Sequence, residues 1–325
     1  MIGHRQLPPG WIETDPGADG RTAATHPPYR PISGRVAITA TVSVILPAMN
    51  EAQNLPHVFS SIPAWIDEVV LVDGRSTDDT IAVAQRLRHD VKIVSQAGRG
   101  KGDALLAGFA ASTGDIIVTM DADGSTDGQE IIRFVTALLA GADFVKGSRF
   151  ASGGGSADLT ATRRFGNNVL SWFVNRLFGT RYTDLCYGYN AFWARHLDAL
   201  ALDCPGFEIE TVMNIRAAKV GLRVHEVPSY ERQRLHGVSN LHIVLDGRRI
   251  ARVIVREWRN RGRASRSARD RTGARDIAPD GVLGERASSA GGTENWRGRR
   301  DRLAPAGREC APEPARSELI TRVQS

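Results

Sequence analysis

Long apolar runs are missing from this chain of 325 residues. Stretches such as Ile116 to Met120 fall far short of the roughly 20 residues that span a bilayer. No apolar h-region follows Met1, so a signal peptide is not expected. Cysteine is scarce. Cys186, Cys204 and Cys310 are odd in number and lack metal-ligand spacing, which excludes a disulfide scaffold and fits buried or incidental thiols in a reducing cytosol. With 42% hydrophobic and 24% charged residues, the composition also excludes collagenous and wholly disordered chains.

A basic footprint is absent from the centre of the chain. The 42 Lys and Arg against 36 Asp and Glu give a net charge of +6. Residues 261–325 hold 14 basic and 9 acidic residues and residues 1–40 hold 4 and 3, which leaves 24 of each between them. The high pI belongs to the ends, and nucleic acid is disfavoured as a partner. Residues 1–40, rich in Pro, Gly and Thr, and the Arg-rich residues 261–325 have too few apolar residues to offset chain entropy, and both are expected to be disordered.

What is present lies between residues 41 and 260. Apolar runs recur at Val42–Leu46, Val69–Val72, Val91–Val94, Ile116–Met120 and Phe144–Val145, with helically spaced segments between them. Strands that are nearly continuously apolar and alternate with helices predict an α/β, doubly wound, mostly parallel sheet. Asn50 is expected to cap a first helix, Ser76 or Thr77 a second, and Thr126 with Gln129 to form a capping box before Ile131. Beyond Arg149 a Gly- and Ser-rich loop is followed by an expected helix over 163–178, a strand over 188–193, a helix over 207–220, a strand over 223–227 and a helix over 241–258. This divides 41–260 into 41–150 and 151–260.

Ligands of such sheets sit at the carboxyl ends of the strands. The first strand ends in Pro47-Ala-Met-Asn-Glu51, which excludes the G-x-G-x-x-G of a dinucleotide enzyme. The second ends in Asp73-Gly-Arg-Ser-Thr-Asp78, where Asp73 suits a hydrogen bond to a base or ribose. Gly98-Arg-Gly-Lys-Gly102 follows the third and offers close backbone approach and two cations. Asp103 after Gly102 breaks the P-loop pattern. The fourth ends in Asp121-Ala-Asp123, two carboxylates that can reach one hard divalent cation beside a diphosphate. The fifth ends in Gly147-Ser-Arg149.

Together with Glu226-Val-Pro228 and Arg234-x-x-Gly-x-Ser239, these ordered motifs resemble the inverting family 2 glycosyltransferases of the GT-A fold. Within that family the chain is most similar to the polyprenyl (dolichyl) phosphate mannosyl- and glucosyltransferases. The resemblance runs from about Val42 to Val255. It implies a nucleotide-sugar site formed by Pro47, Met49, Glu51, Asp73, Lys101, Asp121, Ala122 and Asp123. It implies Mg²⁺ or Mn²⁺ as cofactor, held by Asp123 with Ser125 at the position where relatives carry a further oxygen ligand. Arg149 and Arg234 would meet the diphosphate or the acceptor phosphate and, with Asp123, form the catalytic set. Three features depart from the pattern. Asp73-Gly-Arg-Ser76 replaces Asp-Asp-Gly-Ser and brings in Arg75, and Ser239-Asn240 replaces Ser-Lys, with Arg248 or Arg249 as candidate substitutes. No C-terminal transmembrane pair or Gln-x-x-Arg-Trp motif follows, which disfavours a processive synthase.

The resemblance makes the expected reaction transfer of a hexose from GDP-mannose or UDP-glucose to a polyprenyl phosphate or related lipid acceptor. An alcohol acceptor would need a general base, for which Asp184, Glu208 and Glu210 are candidates. A phosphate, with a second pKa of about 6, is already ionised at neutral pH. Competing classes are transfer to a soluble hydroxyl, a sugar-phosphate nucleotidyltransferase, and a non-catalytic binding module. The basic amphipathic helix expected over 241–260 can lie on a membrane, giving a cytoplasmic protein peripheral to the inner face, or pack on the catalytic domain with a solvated face. Trp172, Phe173, Leu177 and Phe178 are expected in the core rather than in a lipid groove, and Tyr187, Tyr189, Phe192 and Trp193 either pack a strand or stack on a sugar.

Overall fold

The computed structural model describes residues 40–237 and 243–260. The expectations for residues 1–39, Ser239-Asn240 and residues 261–325 lie outside the described residues. The order is β1 (Val42–Ala48), α1 (Leu55–Ser61), β2 (Glu68–Asp73), α2 (Thr80–Leu87), β3 (Lys92–Ser95), α3 (Lys101–Ala111), β4 (Ile116–Thr119), α4 (Ile131–Leu139), β5 (Phe144–Ser148) and β6 (Gly155–Ser156). Then come α5 (Ala161–Phe178), β7 (Asn190–Trp193), α6 (Leu197–Leu200), α7 (Ile209–Lys219), β8 (Val224–Pro228), β9 (Tyr230–Glu231) and α8 (Ile243–Arg259).

Seven strands form one sheet in the order β3-β2-β1-β4-β7-β5-β8. All neighbours are parallel except β7, which runs antiparallel to β4 and β5 on either side of it. The sheet is the mostly parallel α/β sheet that the alternating pattern predicts. Along β1 the side chains alternate. Val44 and Leu46 pack with Val58 of α1 and Phe134 and Leu138 of α4, while Ile45 faces Leu105 and Phe109 of α3 and Val212 and Met213 of α7. With helices on both faces, neither face can be polar, which explains the unbroken apolar runs. The insertion of β7 is held by Phe192, whose ring stacks on Phe144 of β5 with centroids 5.7 Å apart.

Several local expectations are corrected. Asn50 does not cap α1. It has a left-handed backbone (φ 59°), and Asn54 stands at the helix start with Pro56 in the first turn. Asp79 rather than Ser76 or Thr77 precedes α2. Before α4 the capping carboxylate is Asp127, which accepts from the Gln129 amide at 3.0 Å and opens a short 3₁₀ turn, so Thr126 does not form the capping box. Trp172 and Phe173 are exposed, not core, because α5 turns Asn167, Ser171 and Val174 inward instead. In α8, Ile250 and Ile254 pack with Val174 and Ile215, so the inner apolar stripe of that helix is used in packing.

Candidate active site

The loops after β1, β2 and β3 are laced together before any ligand is considered. The Asn50 amide donates to Ser76 Oγ at 2.9 Å, and Asn50 Oδ1 accepts from the Thr77 amide at 2.8 Å. The Glu51 amide donates to Thr80 Oγ1 at 2.9 Å. Arg75, the departure from the family pattern, has φ 65° and donates through Nη2 to the Ala97 carbonyl at 2.7 Å, tying the second loop to the third.

These loops wall a cleft of about 240 Å³ lined by Pro47, Ala48, Met49, Glu51, Gly74, Gln96, Gly100, Lys101, Ala104, Asp121, Ala122, Asp123, Phe207 and Arg234. A second cavity of about 220 Å³ lies on the other side of the Asp121–Asp123 turn, toward α5, α7 and α8, and includes Ser125, Arg149, Tyr187 and Glu210. Lys101, Asp121, Asp123, Phe207 and Arg234 line both. The two spaces therefore meet at the paired carboxylates and their two cations.

Of the sequence-predicted residues, the structure brings Pro47, Met49, Glu51, Lys101, Asp121, Ala122, Asp123 and Arg234 to the first cleft, and Ser125 and Arg149 to the second. Asp73 lines neither cavity. It is buried, and its carboxylate accepts from the Arg75 amide at 3.1 Å and the Ser76 amide at 3.2 Å, fixing the loop from which Gly74 faces the cleft. Gln96 and Phe207 also face the cleft without having been singled out in the sequence. Gln96 is the first residue after β3, so the strand-end rule could have found it.

The electrostatics of the junction follow from burial. Lys101 Nζ lies 2.5 Å from Asp121 and 2.6 Å from Glu210. Burial disfavours its ammonium, but the two carboxylates outweigh burial and raise its pKa above the ordinary lysine value. One cation serves two anions there. Glu210, the more buried, has its pKa raised by desolvation, with Lys101 pulling the other way. Arg234 places Nη2 2.7 Å from Asp123 and Nη1 3.2 Å from Glu51. Burial raises the Glu51 pKa, opposed by Asn54 Nδ2 at 2.5 Å and by Arg234. Arg149, almost buried, grips Asp184 at 2.7 and 3.0 Å and Glu231 at 3.1 Å, and its guanidinium lies 4.8 Å from the centroid of the Tyr187 ring. Burial opposes the Arg149 charge, and Asp184 and Glu231 more than restore it.

The segment carrying Arg234 straps this turn. The Arg232 amide donates to the Ser125 carbonyl at 2.7 Å, and the His236 amide donates to Asn54 Oδ1 at 3.0 Å. Gly124 has φ 77°, a left-handed backbone that calls for glycine at the turn. The glycines of the lysine loop have a structural reason too. A Cβ on Gly100 would come within 2.6 Å of the Pro205 carbonyl oxygen, and one on Gly102 would collide with the Cys204 carbonyl.

The donor set fits a hard divalent cation that shares its shell with phosphate oxygens and water, not one caged by protein. Among the described residues no group of three or more His, Cys, Asp or Glu is placed to hold a metal. Asp123 can offer a carboxylate oxygen. Its Oδ1 accepts from the Ser125 amide at 2.9 Å and hydroxyl at 2.6 Å, which aims the other oxygen into the junction. In this geometry Ser125 orients Asp123.

A model of the family described as Glycosyl transferase family 2 matches residues 43–200. An uncharacterized glycosyltransferase of Mycobacterium tuberculosis is 36% identical over 211 residues, covering 65% of this chain and 94% of the relative. A polyprenol monophosphomannose synthase of Mycolicibacterium smegmatis is 32% identical over 246 residues, covering 70% and 91%. Among solved structures, glucosyl-3-phosphoglycerate synthase from Mycobacterium tuberculosis, in complex with Mn²⁺, uridine diphosphate and glucosyl-3-phosphoglycerate, has a similar fold. Its TM-score is 0.53 at 24% identity, covering 67% of this chain and 80% of that one.

Proposed function

Because the chain belongs to glycosyltransferase family 2, we propose that it transfers a hexose from GDP-mannose or UDP-glucose, with inversion, to a polyprenyl phosphate or related lipid acceptor. The observation that carries this reading is the pair of cavities meeting at Lys101, Asp121, Asp123 and Arg234. The first, walled mainly by residues of 41–150, takes the nucleoside diphosphate. The second, walled mainly by residues of 151–260, takes the acceptor.

Inversion needs the acceptor oxygen to attack the anomeric carbon from the side opposite the leaving diphosphate, and two cavities on either side of one turn provide two such approaches. Arg234 and Lys101 stand where negative charge grows on the departing diphosphate, in a partly desolvated site where fixed cations act strongly. A bound Mg²⁺ or Mn²⁺, for which Asp123 is the ligand and Ser125 its orienting partner, would neutralise part of that same charge. The relative named a polyprenol monophosphomannose synthase supports the lipid phosphate, and the similarly folded synthase crystallised with Mn²⁺ supports the cation.

A phosphate acceptor is favoured over a hydroxyl by the state of the carboxylates. Each one lining the second cavity lies within 3.3 Å of a cation: Asp121 and Glu210 with Lys101, Asp123 with Arg234, Asp158 with Arg163, Glu231 with Arg149 and Asp246 with Arg249. A carboxylate already engaged with a fixed cation is not free to turn to an acceptor hydroxyl, whereas an ionised phosphate needs no base. Asp184 is held by Arg149, and Glu208 lines neither cavity. Among the described residues no helix is long and apolar enough to cross a membrane. The reading places the chain on the cytoplasmic membrane face, with Arg248, Arg252 and Arg259 on the exposed side of α8 near the headgroups.

The test is incubation of the full chain with radiolabelled GDP-mannose or UDP-glucose, Mg²⁺ or Mn²⁺, and a short-chain polyprenyl phosphate. Label moving into the organic phase supports the reading. Label remaining wholly in the aqueous phase with both donors and both metals overturns it.

A further inference from the structure

Cys204 is fully buried and is touched by two elements that do not otherwise belong to one site. Its sulfur accepts from Arg256 Nη2 of α8 at 3.1 Å, and its carbonyl lies against Gly102 in the loop that carries Lys101. The next carbonyl, that of Pro205, accepts from the Asp103 amide at 3.0 Å. The two backbones can approach so closely because Gly100 and Gly102 lack side chains. The Asp103 carboxylate accepts in turn from the Gly98 amide at 2.8 Å, which closes the loop around Lys101. Phe207, at the end of the turn that begins with Asp203, lines both cavities.

That turn is also held by an ion lattice from α7 and α8. Arg216 Nη2 lies 2.8 Å from both Asp203 Oδ1 and Glu257 Oε1, and Arg216 Nη1 donates to the Leu200 and Ala201 carbonyls at the end of α6. Lys219 Nζ lies 2.8 Å from Glu257 Oε2, and Arg256 Nη2 lies 3.4 Å from Asp203 and from Glu257. Burial opposes the Glu257 charge, but Arg216 and Lys219 hold its pKa below the usual carboxylate value. Val253, one turn earlier in α8, packs in the same core cluster as Cys204 and as Ala104 and Leu105 of α3.

We propose that Arg256 is a positioning residue, which sets Lys101 for the diphosphate by holding the Cys204–Pro205 turn against the lysine loop. The inference rests on the proposed site in one respect, that Lys101 meets the diphosphate. Burial pushes the Cys204 thiol up to about 12, so at neutral pH the sulfur is uncharged and Arg256 grips it by a hydrogen bond. One residue, Cys204, thus bridges a cation of α8 and the backbone of the loop. Lys101 is the first residue of α3, flanked by the two glycines that meet the turn, so its backbone follows any shift of Cys204 and Pro205. Its second carboxylate partner, Glu210, stands on α7, which begins two residues after Phe207 and so shares the same anchor. Misplacing a group at a reacting centre by about 1 Å costs on the order of 10²-fold in rate, which is the scale on which a remote anchor acts.

The experiment is a double-mutant cycle in the full chain, read by isothermal titration of GDP and of UDP with Mn²⁺. Lys101→Met is expected to weaken the nucleotide that binds at least about tenfold, and Arg256→Met at least about fivefold. In the Lys101→Met background Arg256→Met should cost less than about twofold, because its effect passes through the lysine. A role in stability alone would lower the melting temperature and weaken binding by one factor in both backgrounds. The three contacts of Arg256 given above come from one nitrogen, so Arg256→Lys should bind within about threefold of wild type. Cys204→Ala removes the sulfur from the other side of the contact and carries the same cycle if Arg256→Met does not fold.

A second readout needs no nucleotide. Mass spectrometry after brief reductive methylation compares labelling of Lys101 with that of Lys92 on β3. An amine loosened from Asp121 and Glu210 gives up its proton more readily, so Arg256→Met should raise this ratio at least about threefold. Unchanged nucleotide binding in Arg256→Met, an equal loss with and without Lys101, or an unchanged labelling ratio overturns the proposal. If Lys101→Met binds as wild type does, or neither nucleotide binds, the placement of Lys101 at the diphosphate fails instead, and the labelling ratio alone decides whether Arg256 positions it.

Discussion

Arg234 lies 2.7 Å from Asp123, across the line where the two cavities meet, and it reaches back 3.2 Å to Glu51 on the loop after β1. The cation comes from a strap more than a hundred residues away in sequence, and it joins the loop after β1 to the paired carboxylates.

Replacing Arg234 by Met should therefore leave Glu51 and Asp123 facing each other without their cation. Loss of a fixed charge aimed at the leaving diphosphate predicts a fall in kcat of about 10²-fold or more. Arg234→Lys should recover little of it, because one ammonium nitrogen cannot take both positions from which Nη1 and Nη2 reach Glu51 and Asp123. Steady-state kinetics on the three proteins check this. Full activity in Arg234→Met would remove the residue from the catalytic set.

The Arg149–Asp184 pair should be a stability determinant, besides holding Arg149 where it lines the second cavity. Both side chains are almost fully buried and bonded in fork geometry. Asp184→Asn strips charge from a buried pair and predicts a loss of about 3–5 kcal/mol in chemical denaturation. Glu231→Gln, at the more open end of the same guanidinium, should lose clearly less.

Lys146 sets a pH dependence. Fully buried in β5, it donates to the Tyr187 carbonyl at 2.7 Å, and desolvation lowers its pKa below 10.5 although Asp184 and Glu210 oppose the shift. The unfolded chain then binds a proton that the folded chain releases, so stability rises with pH in the window below 10.5 and is lost as pH falls through the folded value. Lys146→Met should flatten that slope in melting temperatures measured across alkaline pH. An unchanged slope would place the titration elsewhere.

Gly102→Ala tests why the lysine loop is built of glycine. The added methyl meets the Cys204 carbonyl, and the Asp103 amide just beyond donates to the Pro205 carbonyl at 3.0 Å. A loss of about 1–3 kcal/mol in denaturant melts is expected, as for an overpacked core. An equally stable variant would return these glycines to a role at the ligand.

Much of the site was legible because its residues follow the strands. Pro47 at the end of β1, Met49 and Glu51 just beyond it, and Asp121 to Asp123 after β4 line the clefts for that reason. Side-chain partnership was less legible, since it depends on residues distant in the chain. Asp73 turned out to hold its own loop, and Glu231 clasps Arg149 across 82 residues. The antiparallel β7 could not be ordered from its sequence either, because an apolar run states that a strand is buried and not which neighbours bury it. Trp172 and Phe173 misled for a related reason. Helical spacing groups them on one face, but only the packing of α5 shows that this face is turned to solvent.

The central claim is that Asp123 lies at a metal-assisted nucleotide-sugar site. Isothermal titration of GDP-mannose and UDP-glucose into the full chain, with Mn²⁺ and with EDTA, for wild type and Asp123→Ala, tests it most directly. The account predicts that one donor binds in the presence of Mn²⁺, that EDTA weakens it, and that the substitution weakens it at least about tenfold, or 1.4 kcal/mol. Binding of neither donor to wild type, or equal binding to Asp123→Ala with and without the metal, would contradict it.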